Sequence, residues 1–472
     1  MQFKLASGML TPLIIATALF MENMDATVIA TSLPAIARDL LVDPVALKLA
    51  LTSYLVSLAV FIPVSGWMAD RFGARRIFRS AIVVFMLGSI LCGFSTSLEG
   101  FVLARFVQGM GGAMMVPVGR LVILRTTRKE ELVRALSYLT IPALLGPVMG
   151  PPLGGFITTY FHWRWIFFIN VPIGVLGIVL AGRFIQNLKQ DQLPPLDKAG
   201  FALTGIGLSM LMLGLATEGK HMLSLPQSLA LTLLGALLLL AYLRHYRQVD
   251  DPLLDLSLLR VPTFHASVFG GFLIRMGIGA TPFLLPLMLQ LGFGYTPFES
   301  GVLTCSTAVG AIFMKTIVSR VLERFGFKQV LTWNAVLVAL SMAVYGLFQA
   351  NTPHALMLLV FVLGGFLRSL QFTSLNAIAF ADVEQARMSH ATSLSSVAQQ
   401  LAAGFGVTAA ALALQCVAGL HGHQQLEVSD FSWSFLVMGL LTLASVLFFL
   451  PLDAKSGAAL AVSHDTEESR GR

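Results

Sequence analysis

The sequence predicts an all-α, polytopic membrane protein with fourteen transmembrane helices, arranged as six spans, two inserted spans and six more. Three observations lead to this fold class: the composition, the recurrence of long apolar runs, and an internal repeat. Of the 472 residues, 56% are hydrophobic and only 12% are charged, whereas about a quarter of a soluble domain is charged. Because the mean hydropathy is +0.80, most of the surface must face a bilayer rather than water.

Apolar runs close to the roughly 20 residues that cross a bilayer recur along the whole chain. The first run continues through Glu22 and Asp25 without a small-residue cleavage site, so we interpret it as a retained span and not as a signal peptide. An even number of spans places both termini on one side. The predicted spans are 10–32, 46–68, 77–96, 100–122, 132–157, 164–186, 199–218, 225–243, 264–290, 298–318, 329–348, 355–378, 392–417 and 432–451.

The distribution of basic residues predicts which side faces the cytoplasm. Loops on one side hold 22 of the 31 Lys and Arg residues, loops on the other side hold four, and five lie inside spans. Since cytoplasmic loops are rich in Lys and Arg, we predict a bacterial inner-membrane protein with both termini in the cytoplasm. The net charge of +7 then follows from orientation and does not indicate a nucleic-acid partner.

An internal repeat supports the span count. The stretch Gly66–Arg76, between spans 2 and 3, returns in degraded form as Ser319–Gln329, between spans 10 and 11. The copies are 253 residues apart, which leaves room for two helices beyond a six-span unit, and repeated halves are typical of secondary transporters. We therefore predict an N-terminal six-helix bundle (1–190), two inserted helices with flanking cytoplasmic loops (191–260), a C-terminal bundle (261–455) and a polar cytoplasmic tail (456–472).

The first copy of the repeat resembles the signature cytoplasmic loop of the major facilitator superfamily. Its glycines permit a tight turn between closely packed helices, and its aspartate can pair with a neighbouring base or a helix N-terminus. The resemblance implies a latch that holds the two halves of the protein together on the cytoplasmic side. The matching residues are Gly66, Asp70, Arg71, Gly73, Arg75 and Arg76.

Span 5 carries a glycine stripe with prolines. Glycines at every fourth position let another helix approach closely, and prolines bend a span or remove backbone hydrogen bonds. At this span the pattern resembles the motif that marks antiporters within the superfamily. The motif residues are Gly146, Pro147, Gly150, Pro151, Gly154 and Gly155.

Three further stretches narrow the resemblance: Met24–Pro34 in span 1, Arg105–Gly109 in span 4 and Trp163–Gly174 at span 6. Together with fourteen spans they are similar to the drug:proton antiporter branch to which EmrB and QacA belong, and Met114–Arg120 is most similar to transporters of the MdtD type. The resemblance implies proton-driven efflux of drugs or small organic molecules by alternating access. One departure is that the second half has no clear acidic residue within a span.

Seven charged residues are predicted inside spans, where a charge costs a few kcal/mol on insertion scales and normally faces a cavity or a partner. Spans 1, 4, 7 and 10 line the cavity in twelve-span members of the superfamily, and with two inserted spans these become 1, 4, 9 and 12. Six of the seven lie there; the ammonium of the seventh, near the end of span 10, is equally well explained by snorkelling to the interface. They are Glu22, Asp25, Arg105, Arg120, Arg275, Lys315 and Arg368.

Depth along the helices links Asp25 to Arg105. With a rise of 1.5 Å per residue, both lie ~22 Å from the cytoplasmic face, so we predict a pair in which protonation of Asp25 weakens the attraction to Arg105. Glu22 lies one turn away on the same face, and two such carboxylates are not expected to be ionised together. We predict that these three residues couple transport to protons; the alternative is a fixed ion pair that holds helices together.

The arginines of spans 9 and 12 have no predicted acidic partner. Unpaired guanidinium groups at that depth are costly unless water or an anion meets them, so we predict a pocket that admits an anionic or zwitterionic compound. The alternative is that backbone carbonyls or the amides Gln371 and Asn376 satisfy them. The candidate cavity residues are Arg120, Arg275, Arg368, Gln371 and Asn376.

The sequence predicts no enzyme, no cofactor other than the proton as coupling ion, and no metal site. Cys92, Cys305 and Cys416 lack metal-ligand spacing, and His421 and His423 lie in a predicted outside loop. The expected partners are the bilayer and a small-molecule substrate, with a monomer as the expected state and an adaptor protein left open. Two other functions stay open: a facilitator or symporter of an organic anion, and a non-transporting receptor or scaffold with the same fold.

Overall fold

A computed structural model of the chain describes residues 7–126, 145–146, 148–189, 195–217, 223–384, 387–423 and 425–457. All regular structure within these ranges is helical. We number the long helices in chain order. They are α1 (Ser7–Val28), α2 (Lys48–Phe72), α3 (Ala74–Phe94), α4 (Leu98–Thr126), α5 (148–160), α6 (Asn170–Phe184), α7 (Lys198–Thr217), α8 (Leu225–His245), α9 (Gly271–Leu287), α10 (Pro297–Lys315), α11 (Val318–Tyr345), α12 (His354–Ile378), α13 (Met388–His421) and α14 (Val428–Leu443).

The all-α membrane fold is confirmed, and the span count is confirmed in part. Twelve helical stretches among the described residues are long and apolar enough to cross a membrane. Each coincides with a predicted span, and the two predicted spans without one are 132–157 and 298–318. The first lies partly outside the described residues, which leave 148–160 helical. The second forms α10, which has 19 residues but is not among the twelve.

A single glycine separates α2 from α3. Gly73 has φ of +99°, a conformation that L side chains rarely adopt, and α3 starts at the next residue. The N–H of Ala74 donates to the carbonyl of Leu188 at 2.9 Å, which ties the turn to the chain after α6. In the second copy of the repeat, Gly326 has φ of +73° within α11. The two copies therefore share a left-handed glycine at the equivalent position.

The described helices cluster into two compact units. The first comprises Met1–Leu254 with Thr296–Gly301, and the second comprises Asp255–Tyr295 with Val302–Arg472. The inserted helices α7 and α8 fall in the first unit, where α7 packs on α2. The predicted division into two bundles, an inserted pair and a tail stays a prediction, and most of the tail (458–472) lies outside the described residues.

The same helix pairings recur in both units. In the first unit, α3 packs on α4 and α6, and α1 packs on α6; in the second, α11 packs on α12 and α14, and α9 packs on α14. Each unit has its own apolar core, which includes Phe78 and Met115 in the first and Phe327 and Leu331 in the second. Because lipid tails are as apolar as leucine, close packing rather than release of water holds such cores together.

Candidate functional site

Helices α1 and α4 bring Asp25 and Arg105 into direct contact. The guanidinium Nη1 of Arg105 lies 2.7 Å from Oδ2 of Asp25, and the two side chains are only 1% and 0% exposed. This is a charge-assisted hydrogen bond, which is shorter and stronger than a neutral one. Removing one partner of such a buried pair costs about 3–5 kcal/mol, because the other charge is left uncompensated.

The second carboxylate oxygen of Asp25 is also occupied. Its Oδ1 accepts hydrogen bonds from Nε2 of Gln108 and from Nδ2 of Asn170, both at 2.8 Å. The same two amides donate to the hydroxyl of Ser89 at 2.7 and 3.1 Å. With Arg105, five buried side chains from α1, α3, α4 and α6 therefore form one network, and every oxygen of the Asp25 carboxylate has a partner.

The guanidinium of Arg105 is held from two more directions. It donates to Oε1 of Gln108, and its central carbon lies 4.3 Å from the centre of the Tyr54 ring on α2. A cation over an aromatic face gains about 2 kcal/mol when it is desolvated. Asp25, Gln108 and Tyr54 together compensate a charge that would otherwise be costly at this depth.

Sequence reasoning missed the neutral members of this network. Gln108 lies three residues after Arg105, on the same helical face, inside a stretch already noted for its resemblance. Asn170 lies inside the noted Trp163–Gly174 stretch. A search for charges inside spans passes over amides, and an amide at a motif position was the available signal. The lone hydroxyl of Ser89 carries no such signal.

Glu22 lies near the network without joining it. Its side chain is 9% exposed, and neither its Oε2 nor the hydroxyl of Tyr54 has a hydrogen-bond partner among the described residues. Both groups line the same spot on α4, because a Cβ added to Gly112 would lie 3.1 Å from the Tyr54 hydroxyl and 3.6 Å from Oε1 of Glu22. Arg120, further along α4, is exposed. Within the described part of the chain, α1 therefore carries one acid in an ion pair and one acid outside any ion pair.

The glycine stripe of span 5, which runs from Gly146 into α5, faces the helix that carries these acids. A Cβ on Gly146 would approach Asn23 to 2.8 Å, and one on Gly150 would collide with Thr27. The hydroxyl of Thr27 donates to the carbonyl of Gly146 at 3.5 Å. Gly154 faces Val28 in the same way. The missing side chains thus let α1 lie directly against the α5 backbone.

The other motif residues of span 5 are placed differently. Gly155 faces the backbone of Pro297 and Phe298, which belong to the first unit. Pro151 lies in the same described helix, and its carbonyl accepts a hydrogen bond from the Thr31 hydroxyl at 3.4 Å. Pro147 lies outside the described residues.

The predicted latch loop is largely helix. Gly66 and Asp70 lie inside α2, and nothing lies within 4 Å of a Cβ added to Gly66, so only Gly73 makes the turn. Oδ1 of Asp70 pairs with Nη1 of Arg125 at the end of α4, at 2.6 Å. This ion pair lies within the first unit. The expected role of Gly66 in the turn is therefore wrong, because the helix continues past it for six residues to Phe72.

The remaining latch residues are basic and lie next to the turn. Arg71 is in the last turn of α2, while Arg75 and Arg76 open α3. The backbone N–H of Arg76 donates to Oδ1 of Asn187 at 3.4 Å. A latch role for these residues stays a prediction.

In the second unit, Arg275 is buried against neutral groups. Its side chain is 4% exposed; Nη2 donates to Oδ1 of Asn376 at 2.9 Å, and Nη1 donates to the carbonyl of Ser267 at 3.5 Å. Its Nε has no hydrogen-bond partner among the described residues. Asn376 is therefore the amide partner that the alternative interpretation predicted. It satisfies Arg275 only in part, because it accepts from Nη2 and not from Nε.

Arg368 has a similar environment. Its Nη2 donates to the hydroxyl of Thr281 at 3.1 Å, its guanidinium lies 5.4 Å from the centre of the Tyr345 ring, and its Nε has no hydrogen-bond partner in the described part of the chain. In those same residues, no carboxylate forms an ion pair with Arg275 or Arg368. Two guanidinium groups with spare donors are thus present in this unit.

Two residues named from the sequence lie elsewhere. Among the described residues, Gln371 makes its hydrogen bonds away from the arginines: its Oε1 accepts from Nδ2 of Asn334 at 2.8 Å, and its Nε2 donates to the carbonyl of Leu331 at 3.2 Å. Its prediction as an arginine partner is wrong, because it fastens α12 to α11. Lys315 is exposed at the last residue of α10, as expected for a side chain that snorkels.

Comparisons with known proteins agree with this all-helical membrane fold. The profile described as Major Facilitator Superfamily matches residues 15–249 and 267–468. The chain belongs to the major facilitator superfamily. It is therefore a multi-pass membrane protein and a secondary transporter, not an enzyme.

Relatives of this superfamily member span nearly its whole length. It is 36% identical to MdtD of Citrobacter koseri, a protein named for multidrug resistance, over 95% of this chain and 96% of that one. It is 35% identical to HsrA of Haemophilus influenzae, named as a transport protein, over 94% and 95% of the two chains. The resemblance to MdtD-type transporters is confirmed.

Solved structures show the same fold. A D-xylose–proton symporter has a TM-score of 0.67 at 15% identity, covering 94% of this chain and 98% of that one. A POT family transporter in complex with 5-aminolevulinic acid has a TM-score of 0.69 at 16% identity, covering 96% of both. At these identities the likeness concerns the fold alone.

Proposed function

We propose that this transporter exports small organic molecules, drugs among them, in exchange for protons across a bacterial inner membrane. The observation that supports the proposal is the pair of acids on α1: Asp25 in a buried ion pair with Arg105, and Glu22 one turn away, whose Oε2 has no hydrogen-bond partner among the described residues. A charge inside the bilayer that is not needed for packing marks an ion or substrate path. The multidrug name of the MdtD relative supports export as the direction.

The geometry suggests how a proton could be coupled to movement of α1. A proton on Asp25 removes the charge that holds Arg105, and an arginine left without its counter-ion at this depth must find water or another anion. The release frees α1, which rests on the glycine face of α5, to change its contacts. Glu22 supplies a second carboxylate on the same face, through which the proton reaches or leaves Asp25. Alternating access then follows from the two protonation states.

The test is substrate-induced proton flux in reconstituted liposomes with a pH gradient, screened with cationic drugs and organic anions. The native protein should couple substrate movement to protons. Asp25→Asn should transport at the uncoupled background, and Glu22→Gln should shift the pH dependence. Asp39→Asn is the matched control, because Asp39 pairs with Arg164 at the partly exposed end of the same span.

Undiminished proton-coupled flux in the Glu22→Gln, Asp25→Asn double variant would remove these acids from the mechanism. No flux of any compound in the native protein would favour the receptor or scaffold interpretation.

A second candidate function, transport of an organic anion, has its own support. Arg275 and Arg368 present spare guanidinium donors among neutral groups, and guanidinium is well shaped to bind a carboxylate bidentately. Organic carboxylates should then compete with the transported compound, while lipophilic cations should compete poorly. Arg368→Gln should lose carboxylate competition selectively, and Lys315→Gln, at the exposed end of α10, should retain it. Normal cation export by an Arg275, Arg368 double variant that never binds carboxylates would contradict this candidate.

The proposed orientation places both termini in the cytoplasm. A reporter fused after Arg472 should be active there. With Cys92, Cys305 and Cys416 replaced, a cysteine at exposed Gln425 should react with an impermeant label from outside. A periplasmic C-terminus would overturn the even span count.

The Asp70 region is proposed to stabilise the outward-facing state. Asp70→Asn should increase labelling of cytoplasmic cavity positions, since it removes a charge contact near the membrane surface. Unchanged labelling and unchanged transport would count against a latch.

A further inference from the structure

The link between α13 and α14 brings two histidines together. α13 ends at His421, and Gly422 follows with φ of +72°, so the chain turns back and the N–H of His423 donates to the carbonyl of Ala418 at 3.0 Å. This is the hydrogen bond of a Schellman C-cap. As a result the rings of His421 and His423 have centroids only 5.2 Å apart, although a residue lies between them.

Both rings aim the same nitrogen at one oxygen. Nδ1 of His421 and Nδ1 of His423 each lie 3.0 Å from Oδ1 of Asp430. Asp430 is in the first turn of α14 and is 0% exposed, whereas 36% of the His421 side chain is exposed. The three donor atoms lie within 4.8 Å of one another. The result is a His₂Asp cluster in which the carboxylate is buried and the His421 ring is partly open to solvent.

The backbone also orients the carboxylate. Oδ2 of Asp430 accepts a hydrogen bond from the N–H of Glu427 at 2.9 Å as part of a capping box and also lies 3.1 Å from Nδ1 of His423, while Oδ1 faces both histidines. Asp430 is thus held by the start of its own helix, and the histidines are held by the end of the preceding one. The two helix ends thus hold the three donor atoms within 4.8 Å of one another.

From this geometry we propose that His421, His423 and Asp430 bind a divalent transition-metal ion of the zinc type. Two imidazole nitrogens and one carboxylate oxygen are a donor set that Zn²⁺ uses, with metal–ligand distances of about 2.0–2.2 Å. Tetrahedral ligands at such distances lie roughly 3.3–3.4 Å apart. Each nitrogen–oxygen pair at 3.0 Å therefore needs to separate by only a few tenths of an ångström, and the two nitrogens start within 4.8 Å of each other. Water takes the fourth position.

A neighbouring carboxylate supports metal ligation over a simple hydrogen-bonded cluster. Oε2 of Glu427 lies 3.4 Å from Nε2 of His423. If Nδ1 binds a metal, Nε2 carries the proton and faces this carboxylate, which is the arrangement that orients most metal-binding histidines. In the absence of metal, the two Nδ1–H groups share one carboxylate. The metal joins the ends of α13 and α14 on the side of the membrane opposite the basic loops.

The experiment measures Zn²⁺ binding to the full-length protein, purified in detergent without a polyhistidine tag. A chromophoric chelator competes for the metal, and thermal unfolding with and without Zn²⁺ provides a second readout, since a ligand that binds only the folded state raises the melting temperature. We expect one equivalent of Zn²⁺. His421→Gln and His423→Gln should each weaken binding by at least about tenfold, and Glu427→Gln should weaken it by about tenfold.

His354→Gln is the matched control, because His354 is an exposed histidine at the start of α12 with a tyrosine as its ring partner. It should bind Zn²⁺ like the native protein. If His423→Gln does not fold, His421→Gln decides the matter, since that side chain is at an exposed helix end. Unaltered stoichiometry and affinity in the His421, His423 variants, or the same loss in His354→Gln, would show that zinc binds elsewhere.

Discussion

The two halves of this transporter differ in how the charges buried inside them are compensated. In the first unit, α1 carries Asp25 and α4 carries Arg105, and the pair is closed by hydrogen bonds and an aromatic ring. In the second unit, the equivalent helices α9 and α12 carry Arg275 and Arg368. Among the described residues, these two guanidinium groups contact only neutral groups. The repeat therefore conserves helix packing, while one half holds a closed ion pair beside a second acid and the other holds two arginines that no described carboxylate pairs with. Acids inside the membrane suit proton exchange, and uncompensated arginines suit an anion.

The largest effect is expected when the balanced pair is broken. Asp25→Asn and Arg105→Gln should each lower the free energy of unfolding by about 3–5 kcal/mol, because each leaves a buried partner uncompensated. The double variant should recover part of that loss, and denaturation of all three in one detergent gives the coupling energy. Strict additivity would mean that the pair does not act as a unit.

The next effect concerns the surface on which α1 rests. Gly150→Ala should destabilise the protein by about 1–3 kcal/mol, because its Cβ has no room against Thr27. Gly419→Ala in α13 is the matched control: nothing lies within 4 Å of the added Cβ, and alanine favours a helix by up to about 1 kcal/mol over glycine. Melting temperatures should move in opposite directions, and a stable Gly150→Ala protein would contradict the close approach.

A smaller effect of opposite sign is expected in the second unit. Arg275→Gln should leave the free energy of unfolding unchanged or raise it by about 1 kcal/mol, since it removes a buried charge that no described carboxylate compensates. Compared with Arg105→Gln in the same assay, the sign of the change distinguishes the two halves. If both variants lose the same amount, Arg275 has a counter-charge and the contrast disappears.

The smallest effect belongs to a surface pair outside the spans. Burial raises the pKa of Asp255, but hydrogen bonds from Ser257 and the Arg387 guanidinium lower this pKa by more than burial raises it. The pKa therefore lies below its ordinary value of 3.8. A depressed pKa stabilises the folded state above pH 3.8, and this contribution is lost as the pH falls through the folded-state pKa. The melting temperature of Asp255→Asn should therefore fall less on acidification than that of the native protein. Asp250→Asn, at an exposed position nearby, should behave like the native protein.

The fold was predictable because the bilayer demands apolar runs of a set length. Where a span is interrupted by polar residues, as in α10 with Glu299 and Ser300, length and composition alone do not decide. The contact between Asp25 and Arg105 was predictable from their equal depth in the membrane, since a helix rises by a constant amount per residue. Rotation about the axis is set by packing against neighbours, and so Gln371 turned out to face Asn334. Gln108 and Asn170 escaped notice because neutral amides leave no charge to count.

Gly73 and Gly326 occupy equivalent positions in the two copies of the repeat, but the acidic residue before each makes different contacts. Around Gly73 the turn keeps Asp70, which pairs with Arg125, while around Gly326 the acid is Glu323, and its side chain forms no ion pair among the described residues. The bend in the backbone is therefore present in both copies, whereas the ionic contact is found in one of them among the described residues. The side chains at this loop thus differ between the two halves, whereas any other residue at either glycine would have to adopt a positive φ or change the course of the chain between two helices.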